Sequence, residues 1–396
     1  MENTVFKYRS SLVLPAILSL LVLFSCSATG EPPVPASQSP AISAESWNSQ
    51  DVARLISWAR SAPKEALPAP NMHDLKTAIA SGSRSAIDQA ASALALKLAH
   101  MDLFGVAGAS QRSGWHIKDS DTSIDLEARL HDALRSGDID GFFRELLPSH
   151  PDYAALRAAY AAETDPARRE TIARNMERWR WMPQSLGKAY VFVNTATFEA
   201  SLWREGHRIK TWRVITGKPS TPSPVFSAEI TGVTFNPWWI IPASIVREKH
   251  GNFPARLGYV KTASGYRQKP GPNNALGEMK LIMPNPFSVY MHDTPSKSLF
   301  AKDVRAFSHG CIRVDEALDF ATTLLDGEKS REQVNAIAAT RKTTTVGLPA
   351  PLPVYITYFT AGLLGDGSFV VQPDIYKRDQ RVPAPVTGGF GTECSG

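Results

Sequence analysis

The sequence reads Ser308-His309-Gly310-Cys311-Ile312-Arg313-Val314, and the segment Tyr290-Met291-His292-Asp293 precedes it. Cys311 follows His309 by two positions and His292 by nineteen positions. A thiol becomes a nucleophile at neutral pH when a base or a positive field favours its thiolate. A cysteine on a glycine-containing turn, with two candidate imidazoles, therefore predicts nucleophilic catalysis at Cys311.

His292 is the candidate base for this nucleophile. It follows a predicted strand over residues 288–291, and the loop at residues 293–307 returns the chain so that His292 and Cys311 can meet. His292 would generate the thiolate and later protonate the leaving amine. Neighbouring side chains along a strand point to opposite faces, so Asp293 would orient the base with its backbone carbonyl rather than its carboxylate.

Other residues around Cys311 are candidates for supporting roles. The N–H groups of Gly310 and Cys311 could face a developing oxyanion, and the Tyr290 hydroxyl lies on the same strand face as His292. Ser308 and His309 complete the polar surroundings as supporting residues. Arg313 is the candidate substrate-binding residue, because its planar guanidinium suits a carboxylate. The alternative for Arg313 is a structural ion pair with Asp315 or a neighbouring residue.

Two other interpretations of the cysteine remain. The side chains of His292, Asp293, His309 and Cys311 could bind zinc, but their spacing is unlike that of a compact zinc motif. We therefore predict no metal and no cofactor. Cys311 could also be an inert core thiol. The polar neighbours on either side of it argue against that alternative.

The composition is that of an ordinary globular protein. The chain has 396 residues, of which 43% are hydrophobic and 20% charged, and its net charge is +5. The basic residues are scattered without a dense run, which argues against a nucleic-acid partner.

The N-terminus predicts export from the cytoplasm. Lys7 and Arg9 precede an apolar stretch at residues 12–24, which is typical of a secretory signal and shorter than the roughly 20 residues of a membrane-spanning helix. Residues 23–26 (Leu-Phe-Ser-Cys) resemble a bacterial lipobox, so Cys26 is a candidate lipidation site. The alternative is cleavage near Ala28. Either outcome places the protein in the cell envelope, where a lipid on Cys26 would be its only membrane contact.

The rest of the chain divides by pattern. Helical periodicity dominates up to about Met182, and short strands punctuated by proline and glycine follow Pro183. The predicted fold class is α+β, an all-α domain followed by a mostly β domain. The predicted divisions are a signal peptide (1–26), a flexible linker (27–45), a helical domain (46–183), a β domain (184–380) and a flexible tail (381–396).

The segment from His292 to Val314 resembles the signature of the L,D-transpeptidase (YkuD-type) catalytic domain. Residues 177–183, 270–277 and 292–300 resemble the larger YcbB-like branch of that family. The resemblance covers about residues 46–380, more loosely in the helical half. It implies a mostly β catalytic domain behind a helical scaffold domain, with Cys311 as nucleophile and His292 as base.

The resemblance also implies a substrate, the tetrapeptide stem of peptidoglycan. Cys311 would attack the carbonyl of the third residue and expel D-alanine, and an amine of a second stem would complete a 3→3 cross-link. Carbapenems would acylate Cys311. Two departures affect substrate affinity and acceptor choice: the chain leaves no room for a peptidoglycan-binding module between the two domains, and the cap region at residues 247–266 looks short. The open alternatives are a carboxypeptidase or endopeptidase with water as acceptor, and an inactive wall-binding scaffold protein.

Overall fold

The computed structural model describes residues 46–384, which belong to one compact unit. The predicted signal peptide, linker and Cys26 lipidation site lie outside the described residues, as does the predicted tail beyond residue 384. No helix within residues 46–384 combines the length and the apolar character needed to cross a membrane.

Seven helices form the first part of the described chain. They are α1 (Ser49–Ser61), α2 (His73–Ser81), α3 (Arg84–Phe104), α4 (Leu126–Ser136), α5 (Ile139–Leu146), α6 (Pro151–Ala162) and α7 (Pro166–Trp179). Side chains that accept a backbone N–H begin several of them, for example Ser83 before α3 and Asp125 before α4. Gly137 in the left-handed conformation ends α4. The predicted helical pattern is confirmed.

One short strand interrupts this helical part and was not predicted. It is β1 (Trp115–His116), which pairs in parallel with β5 (Val225–Phe235). Two residues are too few to carry a periodic signal. Tertiary packing holds the strand instead, because the Trp115 ring makes edge contacts with the rings of Trp181 and Phe359.

The second part is built on a large sheet. Its remaining strands are β2 (Ala189–Asn194), β3 (Glu199–Arg204), β4 (His207–Gly217), β9 (Met279–Ile282), β10 (Met291–His292), β11 (Ala306–Ser308), β12 (Ile312–Val314) and β13 (Thr344–Thr357). The strand order is β1-β5-β13-β2-β3-β4-β12-β10-β9, β11 pairs with β4, and an extra pairing of β9 with β5 closes the sheet on itself. The predicted α+β class is confirmed.

Apolar side chains from alternate strand positions fill the core of this sheet. Met291, Ile312 and Val314 belong to it, together with residues of α9 (Ala317–Leu325). Phe320 of α9 packs edge-on against Trp212 of β4, with ring centroids 4.7 Å apart. Because successive strand residues face opposite sides, the neighbours of these core residues point to the other face of the sheet.

The remaining elements lie at the edges of the sheet. A three-stranded sheet is formed by β6 (Trp239–Ile240), β7 (Tyr259–Thr262) and β8 (Gly265–Gln268), with α8 (Ala243–Glu248) beside it. We call residues 237–277 the cap segment. The cap segment packs its apolar residues, including Trp239 and Leu276, against Tyr290. The last elements are α10 (Arg331–Ala339) and the hairpin of β14 (Ala361–Leu363) and β15 (Phe369–Val371).

The strand predicted at residues 288–291 is wrong in most of its length. Only Met291 and His292 form a strand, and Ser288 has a positive φ of 55°. Asn285 explains the difference, because its side-chain oxygen accepts the N–H groups of Phe287 and Val289 and stabilises a turn. His292 nevertheless lies at a strand end, as the sequence predicted.

Candidate active site

Three adjacent strands place Lys280, His292 and Arg313 side by side. His292 of β10 is paired with Arg313 of β12 in parallel and with Lys280 of β9 in antiparallel register. Directly paired residues share a face of the sheet. This row faces away from the core, since Met291 and Ile312, which precede His292 and Arg313, are buried in it.

Cys311 lies on the turn that leads into β12, two residues before Arg313. By strand spacing, its Cα is about 8 Å from that of His292, and the two side chains are on the same face. The ring centroid of Tyr290 is 5.4 Å from that of His292, and the Tyr290 hydroxyl hydrogen-bonds the Cys311 thiol. Tyr290 therefore contacts both Cys311 and His292.

The environment of the thiol contains opposing influences. Burial raises the pKa of Cys311, while the backbone N–H and hydroxyl of Tyr290 and the positive charges of Lys280 and Arg313 lower it. Burial outweighs the others, so the pKa of Cys311 is above its ordinary value. The resting thiol is protonated at neutral pH and needs a base to become a nucleophile.

His292 is positioned to be that base. Its side chain is buried, and its Nδ1 contacts the backbone carbonyl oxygen of Asp293. A carbonyl can only accept, so Nδ1 carries the proton and Nε2 keeps a free lone pair. Burial and the nearby Arg313 charge lower the pKa of His292 to about 3, which keeps the imidazole neutral.

The carboxylate of Asp293 points elsewhere, as its strand position predicts. It accepts the N–H of Glu278 at 2.8 Å and pairs with the Lys297 ammonium. A side chain at Gly277 would collide with this carboxylate, at 2.2 Å from its nearest oxygen. Asp293 thus holds the end of the cap segment with its side chain and orients His292 with its main chain.

Hydrogen bonds within the turn at residues 308–311 fix the position of Cys311. The Ser308 hydroxyl donates to the Cys311 carbonyl at 2.5 Å and accepts the Gly310 N–H at 3.0 Å. Gly310 has a φ of +111°, a conformation that glycine adopts most readily. These bonds correct one prediction: the Gly310 N–H is already used, so it is not a free oxyanion donor.

One unused donor remains for a developing oxyanion, and a second donor, the Tyr290 hydroxyl, is engaged with the Cys311 thiol before the reaction. Within the described chain, the Cys311 N–H has no acceptor. The Tyr290 hydroxyl stays protonated, because burial and the neighbouring Cys311 raise its pKa. Preorganised donors of this kind stabilise charge that forms in the transition state.

Arg313 has an unpaired guanidinium. Its Nε is buried without a partner among residues 46–384, and burial lowers its pKa. The alternative ion pair with Asp315 is not formed, because Asp315 binds Arg213 at 2.6 Å. An arginine with spare donors beside the candidate nucleophile suits a substrate carboxylate.

His309 points away from the thiol. Its Nε2 lies 2.7 Å from a carboxylate oxygen of Glu248, at the end of α8 in the cap segment. This exposed pair connects the turn at residues 308–311 to the cap segment. His309 is therefore a contact between this turn and the end of α8.

Sequence reasoning missed two residues of the site. Lys280 stacks its ammonium on the Tyr290 ring, 4.0 Å from the centroid, and lines a groove of about 570 Å³ with Trp238 and Tyr290. Lys280 lies between the buried Met279 and Leu281, so alternation along β9 could have indicated which face of the sheet it occupies. It could not have indicated which residues Lys280 contacts there. Ser223 is fully buried and far from Cys311 in sequence, so no local pattern marked it.

Ser223→Ala tests whether Ser223 holds the turn at residues 308–311, which we call the nucleophile turn, in place. The Ser223 hydroxyl donates to the Gly310 carbonyl at 2.7 Å and accepts the Gly217 N–H at 3.0 Å. Its loss leaves both groups buried and unpaired, so we expect the free energy of unfolding to fall by roughly 1–3 kcal/mol. We also expect kcat to fall about tenfold, because small displacements of a nucleophile reduce rates strongly.

The matched control is Ser227→Ala. Ser227 lies on β5, and its hydroxyl accepts the N–H of Lys118. It should lower stability without lowering kcat, as measured by urea denaturation and steady-state kinetics. Equal kcat values for the two variants would show that Ser223 has no positioning role.

No cluster of three or more His, Cys, Asp or Glu side chains suited to a metal ion is present in residues 46–384. Zinc ligands need to converge on one point. Here His309 turns to Glu248, and the Asp293 carboxylate turns to Lys297.

Comparisons with known proteins give a family match for each part of the chain. Residues 188–344 match the L,D-transpeptidase catalytic domain (YkuD), and residues 38–159 match the domain described as Scaffold domain. A curated Haemophilus influenzae protein named "Putative L,D-transpeptidase" is 29% identical over 242 residues, which are 54% of this chain and 49% of that protein. The chain thus spans about half the length of this relative.

Solved structures with weak similarity include two enzymes of the same name. An L,D-transpeptidase from Mycobacterium smegmatis is 13% identical, with a TM-score of 0.25, over 43% of this chain and 58% of that one. The catalytic domain of an E. faecium L,D-transpeptidase, acylated by ertapenem, is 13% identical, with a TM-score of 0.25, over 43% of this chain and 97% of that one.

The two matches place a region similar to an L,D-transpeptidase catalytic domain after a region similar to the Scaffold domain. More particularly, the chain carries a YkuD-type L,D-transpeptidase catalytic domain at residues 188–344.

Proposed function

We propose that the protein is a peptidoglycan L,D-transpeptidase that forms 3→3 cross-links through a thioester on Cys311. The observation that supports it most is the placement of Cys311 and His292 on one face of paired strands, with His292 Nδ1 on a carbonyl and Nε2 free. A thiol and its base need to come within hydrogen-bond reach, and a shared face lets His292 Nε2 approach the Cys311 thiol. The family match to the catalytic domain adds the substrate class.

In the first step, His292 Nε2 takes the thiol proton and Cys311 attacks the carbonyl carbon of the third stem residue. The oxyanion that forms would be met by the Cys311 N–H and the Tyr290 hydroxyl. The carbon–nitrogen bond then breaks, and D-alanine leaves with the proton from His292. Arg313 and Lys280 provide positive charge for carboxylates of the stem.

In the second step, the side-chain amine of another stem attacks the thioester. His292 removes a proton from the amine, the carbon–sulfur bond breaks, and Cys311 regains its proton. The new amide joins the third residues of the two stems. Water in place of the amine would release a tripeptide, which is the carboxypeptidase alternative.

The proposed place of this reaction is the bacterial periplasm, with peptidoglycan stem peptides as partners. Export follows from the predicted signal at residues 1–26, and attachment to the membrane would depend on lipidation of Cys26. The family match to a cell-wall enzyme agrees with export.

The test is incubation of the protein with purified disaccharide-tetrapeptide, followed by mass spectrometry of the products. A dimer that has lost one D-alanine is the expected product. Tripeptide monomer without dimer would replace the proposal with hydrolysis. An unchanged substrate, with a folded protein, would favour the wall-binding scaffold alternative.

A further inference from the structure

A cationic cavity of about 280 Å³ is lined by residues from the helical part, the large sheet and the C-terminal segment. Its lining contains five basic side chains: Arg112, Arg178, Lys377, Arg378 and Arg381. Within the described chain, no Asp or Glu is among the residues that line it. None of the candidate active-site residues around Cys311 lines it either.

Three of these arginines keep a buried donor without a partner. They are Nε of Arg112, Nη2 of Arg178 and Nη1 of Arg378, none of which has an acceptor among residues 46–384. Arg178 is 2% exposed, so bulk water does not reach its guanidinium. A buried charged donor without an acceptor is costly. Oε2 of Glu177 is likewise buried without a hydrogen bond, so the acids present do not satisfy the three donors, which are available to an added acceptor.

Stacking fixes the direction of these donors. Arg112 lies over the Trp181 ring at 5.3 Å, Arg178 over Tyr358 at 5.5 Å, and Arg378 over Tyr376 at 4.8 Å. A guanidinium whose face covers a ring donates its hydrogen bonds from its edge. The rings therefore hold the three planar groups in place and leave their edges for a ligand.

Carboxylates near the cavity offset only part of this charge. Asp379 pairs with Arg178 at 2.6 Å, Glu177 lies near Arg112, and Asp374 lies near Arg378. Burial still lowers the pKa of both Arg112 and Arg378. Asp119 also acts on Arg112, so four acidic groups stand against five basic ones and a small excess of positive charge remains.

We propose that this cavity binds an oxyanion, a carboxylate or a phosphate, at a site separate from Cys311. Planar guanidinium edges form paired, charge-assisted hydrogen bonds with the oxygens of either group. The volume suits a small anionic group rather than a peptide chain.

The cavity and the nucleophile turn meet at one residue. Arg378 Nη2 donates to the Ser223 carbonyl at 2.8 Å, and the Ser223 hydroxyl donates to the Gly310 carbonyl. A bound anion would hold Arg378 in this position.

The experiment is calorimetric titration of the purified full chain with inorganic phosphate and, separately, with acetate at low ionic strength. We expect one site per chain, and the tighter of the two probes assigns the anion chemistry. Arg378→Gln should weaken binding at least tenfold. Arg112→Gln should do the same and serves as the second variant if Arg378→Gln fails to fold.

Two further variants locate the site. Arg169→Gln is the matched control, because its guanidinium lies over Tyr160 at 4.2 Å outside the cavity, and it should bind as the wild type does. Arg313→Gln should also bind normally, since Arg313 belongs to the candidate active site. Loss of binding in Arg313→Gln, unchanged binding in Arg378→Gln and Arg112→Gln, or no binding of either probe at millimolar concentration would each overturn the proposal.

Discussion

Cys311→Ala is expected to reduce transpeptidation by about 10⁴-fold or more, because removal of a catalytic nucleophile leaves only binding and oxyanion stabilisation. Within residues 46–384, Cys311 is the only cysteine, and it is free. Its thiol receives the Tyr290 hydrogen bonds and lies in the field of Lys280 and Arg313. The rate is measured by dimer formation from disaccharide-tetrapeptide.

The chain offers a matched control for this variant. Cys394→Ala removes the thiol near the C-terminus of the sequence and should leave the rate unchanged. A carbapenem should add its mass once to the wild type and to Cys394→Ala, and not at all to Cys311→Ala. If Cys311→Ala cross-links at the wild-type rate, Cys311 is not the nucleophile.

Stability separates loss of chemistry from loss of fold. Cys311 is only partly buried and outside the apolar core of the sheet, so alanine should change the thermal midpoint little. A folded, inactive Cys311→Ala is therefore the expected outcome.

The sequence could predict the chemistry of Cys311 and His292 because both belong to one short signature. It could also predict that helices dominate up to about Met182 and that short strands follow, since the two parts differ in periodicity. It could not predict partners brought by distant strands. Lys280 reaches the site through the pairing of β9 with β10, and Ser223 reaches it through a loop 87 residues before Gly310.

The same limit explains the two errors near the site. The strand predicted at residues 288–291 gave way to a turn that Asn285 stabilises from outside that segment. The Gly310 N–H looked free in sequence, but the Ser308 hydroxyl accepts it. Both outcomes depend on which side chain hydrogen-bonds a given backbone N–H, and that depends on the three-dimensional geometry.

His292→Gln is expected to lower kcat/KM by about 10²–10⁴-fold, the usual contribution of a general base. His309→Gln is the matched control and should change it by less than about threefold, because His309 contacts only the exposed Glu248 and exposed ion pairs contribute little. This comparison tests which of the two histidines is the base, because the sequence alone does not give the distance of either imidazole from the Cys311 thiol. A larger loss in His309→Gln would reverse the assignment.

The pH profile adds a second, independent measurement for His292. Its folded pKa of about 3 lies below the ordinary value of 6.5, because burial and the Arg313 charge disfavour the imidazolium. The neutral base is therefore present throughout pH 5–8, and kcat/KM of the wild type should show no acidic limb near 6.5. Arg313→Gln removes one of the causes, so its His292 pKa should rise and its acidic limb should shift toward neutral pH. An acidic limb near 6.5 in the wild type would mean that His292 titrates as an exposed histidine, which its burial contradicts.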